Sequence, residues 1–481
     1  MNILKKLNEK GFDTVPADFY SQIDLWKSWY DGEVKDFHRY RAFNGVQYVH
    51  CSRYSMGMGK KVAEDWANLL LNEKVKITIE GNKEQEFFDS VCSENNFEVK
   101  ANEMQEMKAA LGTAAYVVRA ADVTVNSGNG SLIDIGRGRL KIDYVTAQNI
   151  FPISWENGIV KECAFASSAT VRGKDYLYLQ IHRIGEDGNY VIENVIYRSE
   201  NETLTPVNLT DVHGYENIPP VVKTGSPERQ FVIDRLNISN NYDITLPMGI
   251  PAFANAIPQL KGVDIAFDSY INEFILGKKR VMFKPSAAKN MDGEFVFDPN
   301  EIAYFYLEED SDGGGIIQPI DMNLRTSDHS AGLQDMLNAL SSKCGFGENH
   351  YRFESGAITT ATQVISENSS MFRTIKKHEI VLESVIKELC KIILRMGNTV
   401  LKKGLNEDVE ISIDFDDSII EDTQSEFNRV MQMVSAGMMT EAEGRSIIMN
   451  ETIETAQAAL PDMESLVSDD MTGGSSEVPK K

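Results

Sequence analysis

ITTATQVISENSSMFRTIKKHEIVLESVIKELCKIILRMGNTVLKK, residues 358–403, is the stretch on which the fold turns. Between Thr360 and Lys403 it holds no proline and one glycine, and Ile375, Leu382, Val385, Leu389, Ile392, Met396 and Val400 recur at spacings of three and four. Gly404 then supplies a C-terminal stop. At 1.5 Å per residue the pattern predicts one helix of roughly 60 Å, enough to span the whole protein.

Just before it, FGENHYRFESGAI (346–358) has glycines and aromatics without periodicity, and reads as an exposed loop between two helices. The helix ahead of that loop is marked by Leu333, Met336, Leu337 and Leu340 and ends at Gly345. Further upstream, Ile257, Leu260, Phe267, Ile271 and Phe274 mark a helix running to about Leu276. Between these two helices lies a β-rich insert, residues 278–319, with VMFKP, GEFVF, AYFYL and GIIQP separated by MDG and DSDGGG turns. The first 250 residues open with a helix carrying Phe19, Ile23, Trp26 and Tyr30 after Pro16. Helices follow at about 60–73 and, as a pair, between Lys83 and Gly112. The runs AAYVVRA, LKIDYV, FPISW, YLYLQIHRI and YVIENVIY then read as strands. After the long helix come the strand VEISIDFDD and helices from about Asp422, Thr440 and Thr452. The tail DDMTGGSSEVPKK is expected to be disordered. The class is α+β, with no internal repeat.

Bulk properties set outer limits. The 481 residues should make two to four folding units, and 42% hydrophobic with 25% charged residues is the composition of an ordinary soluble globular protein. No apolar run reaches the roughly 20 residues of a bilayer span, and the N-terminus lacks a signal peptide, so a cytoplasmic protein without membrane contact is expected. Five scattered cysteines show neither a disulfide framework nor zinc spacing, and no cofactor or metal is expected. The net charge of −24 argues against a broad grip on nucleic acid, yet suits a wall past which DNA slides. Residues 405–470 hold 17 acidic against 2 basic side chains, so the acidity is concentrated at one end.

Three motifs invite chemistry. GMGKK (57–61) lacks the earlier glycine and the Ser or Thr of a phosphate-binding loop, and a helix N-terminal turn is the better account. Asp414 and Asp416 alternate onto one strand face, as in a two-metal phosphotransferase or nuclease. With Ile411, Ile413 and Phe415 as the buried face, however, a solvated edge explains them as well. Lys278, Lys279 and Arg280, with Lys284 and Lys289, form the one dense basic cluster, either a solvated helix end or a basic belt around a channel.

LWKSWYDG (25–32), DFDDSIIEDT (414–423) and above all ITTATQVISENSSMFRTIKKHE (358–379) resemble the portal proteins of tailed phages, particularly siphophages of Gram-positive hosts. The resemblance runs from about Phe19 to Leu466. It implies a wing (1–250, rejoined by the long helix and strand of 359–420), stem helices (251–277 and 325–345) and a clip (278–324). A tunnel loop (346–358), a helical crown (421–466) and a disordered tail (467–481) complete the implied subunit. It also implies a non-enzymatic ring, usually dodecameric, at the capsid vertex. Double-stranded DNA would pass through without sequence specificity, and terminase, major capsid and scaffolding proteins and a head-completion adaptor would dock on it. His350, Tyr351, Arg352 and Phe353 are then the implied DNA contacts, and Lys278, Lys279 and Arg280 the implied basic residues of channel or clip.

Overall fold

The first element lies earlier in the chain than periodicity indicates. The computed structural model describes residues 2–72, 75–125, 130, 132–201, 203–278, 280–283, 304–306, 317–320, 323–352, 361–415, 423–449 and 453–459. In it, helix α1 (Asn2–Glu9) buries Leu4 and Leu7 in a cluster with Phe151, Leu179 and Ile181. Helix α2 (Ala17–Tyr30) follows Pro16 and buries Phe19, Ile23, Trp26 and Trp29. Trp29, not Tyr30, completes that stripe; Tyr30 sits at its margin and donates its hydroxyl to Glu106. After the short α3 (Lys35–His38) comes an antiparallel ribbon, β1 (Arg39–Phe43) with β2 (Tyr48–Ser52), for which the sequence gives no alternating signal. Helix α4 (Met58–Leu70) precedes β3 (Lys76–Ile79), α5 (Asn82–Glu94) and α6 (Phe97–Leu111), and α2, α4 and α6 pack on one another.

Two sheets form the β region. β4 (Thr113–Val125) buries Ala114 through Val118 without interruption, which fits a central strand covered by a helix rather than one with a solvated face. It lies between β5 (Leu132–Thr146) and a late strand, and α6 packs against β4 and β5. The second sheet is an antiparallel meander of β6 (Ile150–Glu156), β7 (Ile159–Val171), β8 (Lys174–Ile184), β9 (Tyr190–Glu200) and β10 (Thr203–Val207). β11 (Val221–Lys223) also pairs with β9, and β12 (Phe231–Arg235) returns to β4. Where α6 hands over to β4, Gly112 has φ +86°, and a Cβ there would stand 2.4 Å from the Gly249 carbonyl oxygen. Only glycine allows that crossing of two backbones.

Helix α7 (Ile257–Leu276) packs on α8 (Thr326–Lys343); α7 ends at the residue the spacing indicates but starts six residues after the implied 251. Gly262 lets the two approach, since a Cβ there would lie 3.0 Å from the Met336 sulfur. At their joined ends Glu273 accepts from the Arg325 backbone N–H at 3.0 Å and guanidinium at 2.8 Å, with His329 3.3 Å away. The Arg325 bonds hold the Glu273 carboxyl down to about 2. Of the insert, β13 (Arg280–Phe283) pairs with β14 (Tyr304–Tyr306) in parallel and with β15 (Ile317–Ile320) antiparallel. GEFVF lies outside the described residues. Helix α9 (Ala361–Thr399) is 39 residues long and its apolar face is wider than the stripe of the sequence, because Ile386, Cys390, Ile393 and Leu394 are buried too. β16 (Ile411–Asp414) pairs with β3, burying Ile411.

The chain divides into two units, residues 1–358 with 367–415, and residues 359–366 with 416–481. In the second, α10 (Thr423–Ser435), α11 (Glu441–Met449) and α12 (Ile453–Ala459) bury Val430, Ala442 and Ala456. Thr440 and Glu443 cap α11 reciprocally, the Glu443 N–H reaching the threonine hydroxyl at 3.2 Å and the carboxylate taking the Thr440 N–H at 2.8 Å. Among the described residues no helix is long and apolar enough to cross a membrane.

Candidate functional site

Helix α8 sends Leu333, Leu337 and Leu340 inward and stops at Gly345, whose φ is +90°. A Cβ there would meet Thr374 at 3.0 Å and the Trp66 ring at 3.4 Å, so the turn can lie against α4 and α9 only as glycine. Phe346 stacks on Trp66 with centroids 4.9 Å apart, and His350 stacks on the Phe346 ring at 4.5 Å. Trp66 donates its indole N–H to the Cys344 carbonyl at 3.1 Å and meets His378 of α9 edge-on. His378 in turn accepts from the Asn237 N–H at 3.0 Å. The start of the 346–358 segment is thus a column of rings footed in α4 and α9.

Charge fixes its outer end. His350 Nε2 lies 3.6 Å from the Asp65 carboxylate, which also holds Lys61 at 2.6 Å. Burial works to raise the Asp65 carboxyl, but its bonds to His350 and Lys61 outweigh that and keep it below the ordinary value. The Tyr351 hydroxyl is sealed from solvent beside the same carboxylate. Burial first, and that charge second, push the phenol far up. The Tyr351 carbonyl accepts from Gln334 at 2.8 Å, and the Ser341 hydroxyl donates to the Gly347 carbonyl at 2.6 Å.

The expectation of a wholly exposed loop is therefore corrected for its first half. His350 and Arg352 are exposed, but Phe346 and Tyr351 are 2% and 8% exposed, because ring stacking gives them a local core. Phe353 lies outside the described residues. Asp65, Trp66 and Gln334, which hold the segment, escaped the sequence reading; a tryptophan in the middle of an amphipathic helix was the available signal. Of the basic cluster, Lys278 is exposed just past α7, Arg280 opens β13 opposite Ile320, and Lys279, Lys284 and Lys289 lie outside the described residues. Asp414 is exposed and stands opposite Lys76 in the β3–β16 register, while Asp416 and Asp417 are outside the described residues.

GMGKK begins a helix. Gly57 takes φ +70° before the first turn of α4, and a Cβ on Gly59 would stand 2.4 Å from the Trp29 carbonyl oxygen. Lys60 is paired with Glu106 and Lys61 with Asp65, so both ammonium groups are engaged within the protein. Gly59 serves the close packing of α4 on α2, and Gly57 the left-handed turn that precedes it.

A search of the curated proteins finds no match. The family model described as phage portal protein, SPP1 Gp6-like, matches residues 15–462. That span starts just before α2 and ends just after α12. It takes in both units, and the ring column under the 346–358 segment with the helices that hold it. By a match of that extent, the chain belongs to the SPP1 Gp6-like phage portal protein family.

Proposed function

We propose that copies of this chain close into a ring at the capsid vertex, through whose channel double-stranded DNA is packaged, retained and ejected and on which the head joins the tail. The observation that carries the reading is the continuous family match over residues 15–462. It is supported by two packed helices, α7 and α8, bracketing a small β insert, which is the order a stem and clip require. On this reading residues 1–250 with 359–420 build the wing, 278–324 the clip, and the helices after Asp422 the crown.

The 346–358 segment is the candidate tunnel loop. His350 and Arg352 supply its exposed polar contacts, Tyr351 the footing beneath them, and Phe353 a further candidate contact. So few cations fit sequence-independent contact that lets phosphates slide, where a cluster of arginines would hold them. Lys278, Lys279 and Arg280 would add a basic belt near the clip. The subunit performs no catalysis: a terminase ATPase docking on the clip supplies the work, and capsid, scaffolding and head-completion proteins are the other partners.

Negative-stain microscopy of the purified protein, with its mass from light scattering, tests the reading. Rings with a stained central hole and roughly ten to fourteen subunits are expected, as heterologous contacts that close would give. A monodisperse monomer or dimer would overturn it.

A further inference from the structure

The β1–β2 ribbon is a two-stranded antiparallel hairpin. None of its ten strand residues is buried, and it pairs with no other strand among the described residues. Phe43 is 59% exposed, Tyr48 64% and Val46 at the tip 85%. A lone two-stranded hairpin is marginal in water. An exposed aromatic one of fixed direction marks a contact surface.

Its direction is fixed at the base by buried polar groups. His38 accepts the Val34 N–H on Nδ1 at 2.8 Å, which leaves Nε2 as the protonated nitrogen, 3.0 Å from Asp264 of α7. Asp264 also accepts the Met56 N–H at 2.8 Å, and Asp268, one turn on, accepts the Tyr54 N–H at 3.0 Å. Both aspartates are buried, 4% and 8% exposed. Two desolvated carboxylates thus hold the strand leaving the ribbon, while His38 holds the one entering it.

The ribbon's chemistry selects its partner. Residues 39–53 hold three arginines and no carboxylate, in a chain of net charge −24, so another copy of the same protein is an acidic surface for it. Each of the three arginines also has a partner within its own chain. Arg39 pairs with Glu33, Arg41 lies over the Tyr48 ring, and Arg53 donates to the Phe37 carbonyl and sits 4.8 Å from the Tyr40 ring centroid. Exposed Tyr and Phe with arginine laid on them is the composition of a protein interface centre, whereas nucleic acid would call for unengaged lysine and arginine.

We propose that the β1–β2 ribbon is an arm that docks on the acidic face of a neighbouring copy and holds the ring together. This rests on the ring reading above and names one of its contacts. The test is the triple variant Phe43→Ser, Val46→Ser, Tyr48→Ser, followed by light scattering over a dilution series, with thermal melting as a check on the fold. Since no ribbon residue is buried, the melting of the subunit should be unchanged. The concentration needed for assembly should rise about tenfold or more, as for loss of a central aromatic anchor.

A variant that assembles at the wild-type concentration overturns the arm while leaving the ring reading intact. A wild-type protein that forms no ring overturns both. Independently of the triple variant, a photo-crosslinker at Val46 should give an adduct of twice the chain mass. An adduct formed only with added fluorescent duplex DNA overturns the proposal in favour of nucleic acid, and an adduct confined to one chain overturns it outright.

Discussion

Lys108 of α6 and Asp234 of β12 make an ion pair sealed from water, Nζ 3.0 Å from Oδ1, with side chains 1% and 0% exposed. Gln105 donates to the other carboxylate oxygen at 2.8 Å and to the Tyr116 hydroxyl at 3.1 Å. Burial lowers the Lys108 pKa in spite of its partner. Lys108→Met should destabilise the subunit by about 3–5 kcal/mol, because Asp234 is left charged in the interior. Lys108→Met with Asp234→Leu should recover most of that loss. Chemical denaturation of the four proteins of the cycle measures the difference, and equal losses in the single and double variants would refute the account.

Acid should weaken the fold through two histidines. His182, wedged edge-on between Phe165 and Phe231, and His378, under Trp66, are both pushed down to about 3, chiefly by burial. A folded pKa below the unfolded value near 6.5 means that the unfolded chain binds the proton more tightly. Stability is therefore retained above about pH 6.5 and lost as pH falls towards 3, at about 1.4 kcal/mol per unit for each histidine. His182→Leu should make the decline of melting temperature between pH 6.5 and 4 shallower, and an unchanged slope would remove His182 from the account.

Gly112→Ala should be among the most damaging single-methyl additions in the chain. The residue has φ +86° and its new Cβ would meet the backbone at Gly249 and Ile250, atoms that cannot swing aside as a side chain can. A loss of at least about 2 kcal/mol is expected. Gly11→Ala, at φ +85° with open space around it, separates the two effects, since it carries the backbone strain without the collision. Similar melting points for both variants would show that the collision is relieved.

In the candidate channel loop, Arg352→Ala and Tyr351→Ala should behave differently. Arg352 is exposed and Tyr351 buried, so the first should leave the melting temperature within a degree or so, while the second should lower stability by about 2–4 kcal/mol. For DNA packaging, Arg352→Ala is the cleaner probe: impaired packaging with normal rings supports contact at the loop. Normal packaging by a combined His350→Ala, Arg352→Ala variant would end that assignment. Deleting residues 348–354 is a blunter test, because it removes the Tyr351 ring as well.

The helices were legible because their signals are local. α7 and α8 carry apolar residues at helical spacing and stop within two residues of a glycine, α9 carries the same spacing but ends at Thr399, five residues before Gly404, and α11 begins at the polar cap Thr440. The ribbon was not legible, since alternation marks a strand only when one face is buried, and RYRAF and YVHCS bury neither. α1 offers just Ile3, Leu4 and Leu7, too short a pattern to rise above chance. The ring column failed for another reason: Trp66 and Cys344 meet across 278 residues, and no local window holds both. Its glycine was visible as a helix stop, but not as a seat for Thr374 and Trp66.

Helix α7 is gripped at two heights and on two sides. Asp264 holds the root of the ribbon, and Glu273, nine residues on, is clamped to α8 by Arg325. At 1.5 Å and 100° per residue these points lie about 13 Å apart along the axis and on opposite faces. A rod held in that way resists twisting. Any torque that turns the Glu273 end of α7 must shear the buried Asp264 carboxylate at the other, so disturbance at that end travels to the ribbon as rotation and is not absorbed by bending between them.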